Sequence, residues 1–394
     1  MSKLITNTIR HTGASSDSLT FNSDGHATVE NNLTVDGTST LTGNVTATGT
    51  LAASNFSGRN KIRNGAMLVN QRNLTDRTSS GYMLDGWAHN EGTGGTADQV
   101  FSSDAPAGFS KSLKIDVTGA DASLASGENL HVYQNIEGQD CVDLCFGTAA
   151  AKTVTLSFWV MSNKTGTYSI VLENSAANRS YVQDYTISVA STWEKKSITI
   201  AGDTSGTWLT TNGIGLRVRF GLASGSTYTT GTVGSWAAAD MVGSTNMVNL
   251  MDDAANNWWL TGVQLEVGPT STEFEHKLHG EELARLQRYY YVLVSDNNDA
   301  IGVGGWYSGS LFTTHVTFPS TMRSAPTLEK NTGTDMFRVW SSNGYQDGDD
   351  VIVERNSTTG CHLDFNSGFS GTQGDAGNIS SNHAGTNLSF SAEL

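Results

Sequence analysis

Charged residues are scarce in this chain: Asp, Glu, Lys and Arg make up 15% of its 394 residues, against roughly 25% in an average globular protein. The exposed faces of a helical bundle need Glu and Lys, so the deficit argues against that class and against a charge-rich disordered chain. Proline is also rare, with 4 residues, whereas glycine contributes 43. This composition favours an all-β protein with many short strands and small polar turns.

Basic residues are outnumbered, with 23 Lys and Arg against 38 Asp and Glu and a formal net charge of −15. Clustered cations drive sequence-independent nucleic-acid binding, so we expect no nucleic-acid partner. No apolar run approaches the length of a membrane-spanning helix, which predicts that the chain does not insert into membranes. The first residues, MSKLITN, lack the apolar core of a secretory signal, so we expect synthesis in the cytoplasm without export by that route.

Cysteine is sparse, and the three residues Cys141, Cys145 and Cys361 form an odd set. No second pair of Cys or His lies nearby to complete a zinc site, and three cysteines cannot make a disulfide scaffold. We therefore expect buried free thiols, and neither a metal nor a cofactor.

The repeats of the N-terminal region have a period of six residues. Between positions 29 and 52 the sequence reads VENNLT, VDGTST, LTGNVT and ATGTLA, with mostly apolar first and fifth positions and Gly or Asn at the third. Such alternation indicates extended strands with regular turns. Because four repeats are too few to bury a core alone, we predict that several chains, most simply three, share one apolar axis in a β shaft. A flexible Gly/Thr linker is the alternative reading.

The remaining sequence divides by its strand patterns. We predict an extended attachment arm at 1–26, the shaft at 27–59, a jelly-roll-like β-sandwich at 60–279, a linking helix at 280–292 and a smaller β tip domain at 293–394. Alternating apolar and polar residues predict sandwich strands at 112–117, 153–161, 168–172, 196–200, 215–221 and 258–267. The helix is predicted over 280–290, because acids precede arginines and Leu283, Leu286 and Tyr290 share a face.

Several short motifs occur in a recognisable order. They are NKIRNG at 60–65, NQR at 70–72, YMLDGW at 82–87, TLSFWV at 155–160, WWLTGVQLEVG at 258–268, RYYY at 288–291 and FPSTMRSAP at 318–326. In this order they resemble the β-sandwich appendage proteins of tailed bacteriophages, and the N-terminal repeats resemble the base of tail fibres, especially those of cyanobacterial phages. The sandwich is also similar to carbohydrate-binding modules, jelly rolls in which one concave face can hold a glycan.

The resemblance implies a homotrimeric virion appendage, most simply a tail fibre. Its arm would dock on other tail or capsid proteins, and its sandwich and tip would adhere non-covalently to a glycan on the bacterial host surface. Two alternatives remain open from the sequence: a purely structural capsid or tail decoration protein without receptor binding, and a polysaccharide-cleaving tailspike.

Aromatic residues beside Gly-rich turns are the candidate ligand-binding residues, because aromatic faces pair with the apolar faces of pyranose rings. Trp306 and Tyr307 follow the sequence GVGG, and Tyr345 follows Asn343 and Gly344, close to Trp340. In the sandwich, Trp258 and Trp259 alternate on one strand and are predicted to point to opposite faces. Trp87, Trp159 and Trp259 are expected in the core.

No catalytic residue is predicted. The adjacent acids at 252–253, 281–282 and 349–350 lack the context of a general acid, and no Gly-x-Ser-x-Gly elbow is present. The acids at 347–350, with Asp335 nearby, could supply oxygen ligands to a calcium ion, but they do not match an EF-hand loop and favour a plain acidic turn. A basic cluster, formed by Arg59, Lys61, Arg63, Arg72 and Arg77, is expected to bridge shaft and sandwich. An acidic neighbouring chain or an anionic sugar is the alternative partner of that cluster.

Overall fold

The computed structural model describes residues 58–394 and three short strands in the first 57 residues. These strands, β1 (Thr8–Ile9), β2 (Leu19–Phe21) and β3 (Ala27–Thr28), form an antiparallel three-stranded sheet. The chain separates into two compact units, residues 1–54 and 55–394. The repeats at 29–52 lie outside the described residues, so the β shaft stays a prediction.

The sandwich is built from two antiparallel sheets packed face to face. The six-stranded sheet has the order β13-β10-β18-β8-β7-β4 and the seven-stranded sheet the order β16-β12-β11-β14-β9-β6-β5. The bounds are β4 Asp76–Arg77, β5 Gly81–Leu84, β6 Trp87–Gly92, β7 Thr96–Ser102, β8 Ser112–Gly119, β9 Asn129–Glu137, β10 Val154–Ser162, β11 Gly166–Glu173, β12 Ser180–Ile187, β13 Glu194–Ile200, β14 Ile214–Ser224, β16 Trp236–Ala237 and β18 Asn257–Val267. Two further strands, β15 (Thr229–Thr230) and β17 (Gly243–Ser244), pair in parallel.

Large aromatic side chains fill the space between the two sheets. Trp87, Phe158, Phe220 and Trp258 are fully buried, and the ring centroid of Phe220 lies 5.1 Å from that of Phe158 and 5.9 Å from that of Trp258. Period-two alternation places these residues on the inner faces. The predicted all-β class and sandwich are confirmed, as is the core position of Trp87. Trp159 and Trp259 are instead half-buried on the opposite faces of their strands.

One α-helix, α1 (His279–Leu286), occurs in the described part of the chain, with 3₁₀ turns at Gly138–Leu144, Ser226–Tyr228 and Leu250–Asp252. The predicted helix over 280–290 is therefore too long at its C-terminal end. Tyr290 begins strand β19 (Tyr290–Val294), where it pairs with Ser391. Sheet pairing over a long sequence distance overrides the local helical pattern.

The C-terminal part has two antiparallel sheets around its own core. The three-stranded sheet has the order β19-β28-β22, and the seven-stranded sheet, here called the tip sheet, has the order β24-β23-β27-β20-β21-β26-β25. The bounds are β20 Ala300–Ser308, β21 Leu311–Thr317, β22 Thr327–Lys330, β23 Phe337–Ser341, β24 Gly344–Gly348, β25 Asp350–Glu354, β26 Gly360–Ser367, β27 Ala376–Ser381 and β28 Leu388–Ser391. Phe312, Phe337 and Phe365 are among its fully buried side chains.

Charged hydrogen bonds join the sandwich to the C-terminal sheets. The buried Glu137 carboxylate, at the end of β9, accepts hydrogen bonds from Arg288 Nε at 2.9 Å and from the Tyr289 hydroxyl at 2.6 Å. The guanidinium of Arg63 lies 3.7 Å from the centre of the Tyr289 ring. Arg288 and Tyr289 of the RYYY motif thus connect the sandwich with the C-terminal sheets.

Candidate functional site

The sequence-predicted aromatic residues divide between the core and the surface of the tip sheet. Trp306 is only 2% exposed, and its ring packs against Phe312 and Phe369 with centroid separations of 5.5 and 6.3 Å. Its prediction as a ligand-contacting residue is therefore wrong, because alternation along β20 turns its side chain inward. Tyr307, the next residue, is 69% exposed.

Trp340 and Tyr345 lie together on the outer face of the tip sheet. They are direct cross-strand partners in the β23–β24 hairpin, and their ring centroids are 5.1 Å apart. Trp340 also pairs with Asn378 on β27, and Asn378 pairs with Val303 on β20. These four side chains form one continuous row across four strands.

A salt bridge supports the aromatic pair. The Arg338 guanidinium donates from Nε and Nη2 to the two Asp347 carboxylate oxygens, each at 2.6 Å, and its carbon lies 4.2 Å from the centre of the Tyr345 ring. Arg338 and Trp340 are two residues apart and thus share the outer face. The stacked guanidinium and its carboxylate partner restrict the rotamers of both rings.

The large apolar side chains exposed in the C-terminal part all lie on this outer face. Among the described residues after 289, they are Val303, Tyr307, Trp340, Tyr345 and Ile352. Ile352 pairs with Asp364, Asp364 with Thr313, and Thr313 with Gly305, which is two residues from both Val303 and Tyr307. Because they share one sheet face, we treat this face as the candidate binding surface.

A polar cleft on the sandwich, with a volume of about 320 Å³, was not predicted from the sequence. It lies on the face of β9 and β14 that points away from the core, and its lining includes Asn129, His131, Tyr133, Arg217, Arg219 and Asp240. The sequence did contain a signal for it. Polar side chains alternate with buried residues at Asn129, His131, Tyr133 and Asn135 of β9 and at Arg217 and Arg219 of β14.

Two arginines in this cleft surround a buried carboxyl group. Glu173 Oε2 accepts a hydrogen bond from Arg217 Nη1 at 2.5 Å and lies 2.9 Å from Arg219 Nη2, and Arg219 Nη1 donates to Asp240 at 2.7 Å. Burial raises the pKa of Glu173 to about 7; the charge of Arg219 opposes this shift, and the nearby Asp240 adds to it. Desolvation of the carboxylate thus outweighs its ion pairs.

The acidic turn and most of the basic cluster form contacts within the unit at 55–394. Asp347 pairs with Arg338, Asp350 accepts from Lys330, and an Asp349 oxygen accepts from the Asp335 amide at 2.9 Å. In the basic cluster, Lys61 binds Asp143 and Arg72 binds Glu393, with N–O distances of 2.8 and 3.4 Å. In the described part of the chain, no three His, Cys, Asp or Glu residues are grouped to hold a metal ion.

The three cysteines are free among the described residues; Cys141 and Cys361 are buried and Cys145 is half-buried. Burial raises the pKa of Cys141 to about 12 and that of Cys361 to about 11, so both thiols stay protonated at neutral pH. No helix of the described residues is long and apolar enough to span a bilayer.

No family model and no curated protein matches this chain. Solved structures that are similar to parts of it include a tailspike protein 4 domain of bacteriophage CBA120 (15% identity, 54% of this chain, 22% of that chain, TM-score 0.30). A second is a putative sugar-binding protein from Bacteroides thetaiotaomicron (12% identity, 53% of this chain, 100% of that chain, TM-score 0.31). A third is a family 11 carbohydrate-binding module from Clostridium thermocellum (11% identity, 51% of this chain, 98% of that chain, TM-score 0.26). The chain thus spans less than a quarter of the tailspike chain. At TM-scores this low, none of these likenesses bears on fold or function.

Proposed function

We propose that this protein is a virion appendage, a tail fibre, that adheres non-covalently to a glycan on the bacterial host surface through the outer face of its tip sheet. The observation that carries the proposal is the confinement of the exposed apolar side chains after residue 289 to that face. The motif resemblance supplies the phage context. The proposal covers binding alone, with no catalytic step.

The Trp340–Tyr345 pair has the chemistry of a sugar platform. Trp340 is 47% exposed and Tyr345 is 51% exposed, so both rings present apolar faces to solvent. A pyranose ring offers an apolar C–H face to such rings and directs its hydroxyls outward. The neighbouring Arg338–Asp347 ion pair holds the Tyr345 ring and forms a polar edge of the platform.

A single sugar-binding site typically has low affinity, so adhesion is stronger when one oligomer carries several such sites. Linking several copies raises the effective concentration of the second and third binding events without any new contact. A homotrimer sharing the repeats at 29–52 would carry three tip sheets, and its arm would dock on other tail or capsid proteins. Localisation in the virion belongs to this same proposal.

The test uses a panel of purified bacterial surface polysaccharides immobilised on an array. We expect wild-type protein to bind a subset, and Trp340→Ala and Tyr345→Ala each to lose roughly tenfold in affinity or more, since a buried aromatic contact contributes about 1–3 kcal/mol. Leu278→Ala is the matched control, because Leu278 is 80% exposed and outside the tip sheet. Equal binding by all variants would contradict the proposed site. Release of reducing ends from the bound glycan would favour the tailspike alternative instead.

The same polysaccharide panel distinguishes an adhesin from a structural decoration protein. Wild-type protein that binds no polysaccharide, and whose antibodies label the capsid or tail shaft on particles, would match a decoration protein without receptor binding. Labelling at the distal ends of fibres, together with glycan binding, would match an adhesin.

A further inference from the structure

A pocket lies on the outer face of the tip sheet, and its lining does not include Trp340 or Tyr345. It has a volume of about 240 Å³ and lies between strands β20, β21, β25 and β26. Tyr307 forms one wall and remains 69% exposed. The polar lining consists of Thr313, Glu354, Arg355, His362 and Asp364.

We infer that this pocket is a second sugar subsite and that the ligand is an extended glycan chain running from the Trp340–Tyr345 platform to Tyr307. The inference rests on the proposed function and deepens it, because it assigns the ligand a minimum length and a charge. Three observations carry it: the free polar groups of the pocket, their charge, and the separation of the two aromatic sites.

The polar groups of the pocket are available to a ligand. In the part of the chain that the structure describes, the side chains of Glu354, Arg355 and Asp364 take part in no ion pair or hydrogen bond. The other charged groups of this face differ, since Arg338 and Asp347 satisfy each other. Clustered carboxylates and a guanidinium without protein partners beside an exposed aromatic ring can accept from and donate to neighbouring sugar hydroxyls.

The charges of the pocket select against acidic sugars. The lining contains two carboxylates, Glu354 and Asp364, and one guanidinium, Arg355. A uronate or sulfate group would lie beside like charges, which costs free energy, whereas hydroxyl groups would donate to the carboxylates. The ligand class is therefore an uncharged sugar residue at this subsite.

The separation of the two aromatic sites sets the length of the ligand. From Trp340 the register runs through Asn378 to Val303, two strands away, which is about 10 Å at ordinary strand spacing. Tyr307 is four residues further along β20, or about 13 Å at the usual rise per residue. A diagonal of roughly 16 Å results. No single sugar ring reaches both sites.

The experiment uses the full chain and the polysaccharide of the panel above that binds it most tightly, partially hydrolysed and fractionated by length. We expect wild-type affinity to rise steeply once fragments are long enough to reach both sites. Asp364→Asn and Tyr307→Ala should each lower affinity for long fragments by roughly tenfold, as expected for lost charged hydrogen bonds or ring contacts, and should leave the affinity for short fragments nearly unchanged. Asp349→Asn, outside the pocket lining, is the control.

The relative affinity for uronate-containing and neutral fragments provides a second, independent test of the pocket. The double substitution Glu354→Gln with Asp364→Asn should increase binding of uronate-containing fragments relative to neutral ones. Each variant is checked for unchanged thermal unfolding, so that a folding defect is not mistaken for a lost subsite.

The inference would be overturned by pocket variants that keep wild-type affinity for long fragments, or by a monosaccharide that binds as tightly as the longest fragment. These outcomes leave the platform untouched, so loss of binding in Trp340→Ala would still support the proposed function. Conversely, pocket variants that lose binding while Trp340→Ala keeps it would reject the platform. Absence of wild-type binding to every polysaccharide would reject both.

Discussion

Trp340 and Tyr345 lie opposite each other across the β23–β24 hairpin, with ring centroids 5.1 Å apart and ring planes inclined by 54°. Ser342 and Asn343 form the turn between these strands, and Gly344, the next residue, has a positive φ of 98° that a residue with a side chain adopts with strain. The turn thus fixes the register that brings the two rings together. The aromatic pair is a direct consequence of local chain chemistry.

Replacement of Asp347 by Asn tests whether Arg338 orders this pair. Asn cannot form the bidentate ion pair, so the guanidinium above Tyr345 loses its anchor. Because the pair is at the surface, we expect the free energy of unfolding to change by less than about 1 kcal/mol. Glycan affinity should fall several-fold. Urea denaturation and array titration measure the two quantities, and an unfolding change larger than the binding change would contradict a positioning role.

Trp306 and Tyr307 provide a comparison between adjacent residues on opposite faces. Trp306→Ala should lower the free energy of unfolding by about 3–5 kcal/mol, because the substitution leaves a large cavity beside Phe312. Tyr307→Ala should change it by no more than about 0.5 kcal/mol, as is usual for exposed positions. Urea denaturation of both variants gives the answer. Similar losses would mean that Tyr307 packs against the core.

Alternation in the sequence was sufficient to predict six of the sandwich strands, β8, β10, β11, β13, β14 and β18, and the opposite faces of Trp258 and Trp259. It was not sufficient for Trp306, because the GVGG sequence before it is typical of a loop yet continues as strand β20. Those glycines fit where bulkier residues would not, since a Cβ on Gly304 would lie 2.0 Å from the Thr313 carbonyl oxygen. The sandwich cleft required pairing between β9 and β14, which are far apart in sequence.

The buried Glu173 makes stability depend on pH. Burial raises its pKa from 4.5 to about 7, so the folded protein binds this proton more tightly than the unfolded chain does. Its contribution is fully present below about pH 4.5 and is lost as pH rises through 7. In Glu173→Gln, the loss of unfolding free energy between about pH 5 and pH 8 should be smaller by on the order of 3 kcal/mol.

A carboxylate with the opposite shift is the control for this pH experiment. Burial opposes ionisation of Glu194, but hydrogen bonds from Lys196 and the Val189 and Ser188 amides lower its pKa overall. Its contribution is lost only as pH falls, so Glu194→Gln should leave the slope between about pH 5 and pH 8 unchanged. Thermal or urea unfolding across that range measures both variants. Equal slopes for wild type and Glu173→Gln would show that Glu173 is ionised throughout.

Arg288 connects the sandwich with the C-terminal sheets through Glu137. Arg288→Ala should lower the free energy of unfolding by about 3 kcal/mol, because it leaves a buried carboxylate with only the Tyr289 hydroxyl as a side-chain donor. Lys195→Ala is the control, since its ion pair with Glu273 is exposed and 3.9 Å long and contributes little. Urea denaturation compares the two. Equal losses would mean that the junction contributes no more than a surface ion pair.

The mass in solution tests the proposed homotrimer and the origin of its assembly. Light scattering after gel filtration should give three chains for residues 1–394, because the apolar positions of the repeats need partners to be buried. Residues 55–394 form a compact unit with their own cores, so we expect this fragment to fold and to be monomeric. A trimer that persists in the fragment would place the assembly in the sandwich or tip sheet. A monomeric full chain would reject the shaft and leave the tip sheet to bind glycan without the avidity of three copies.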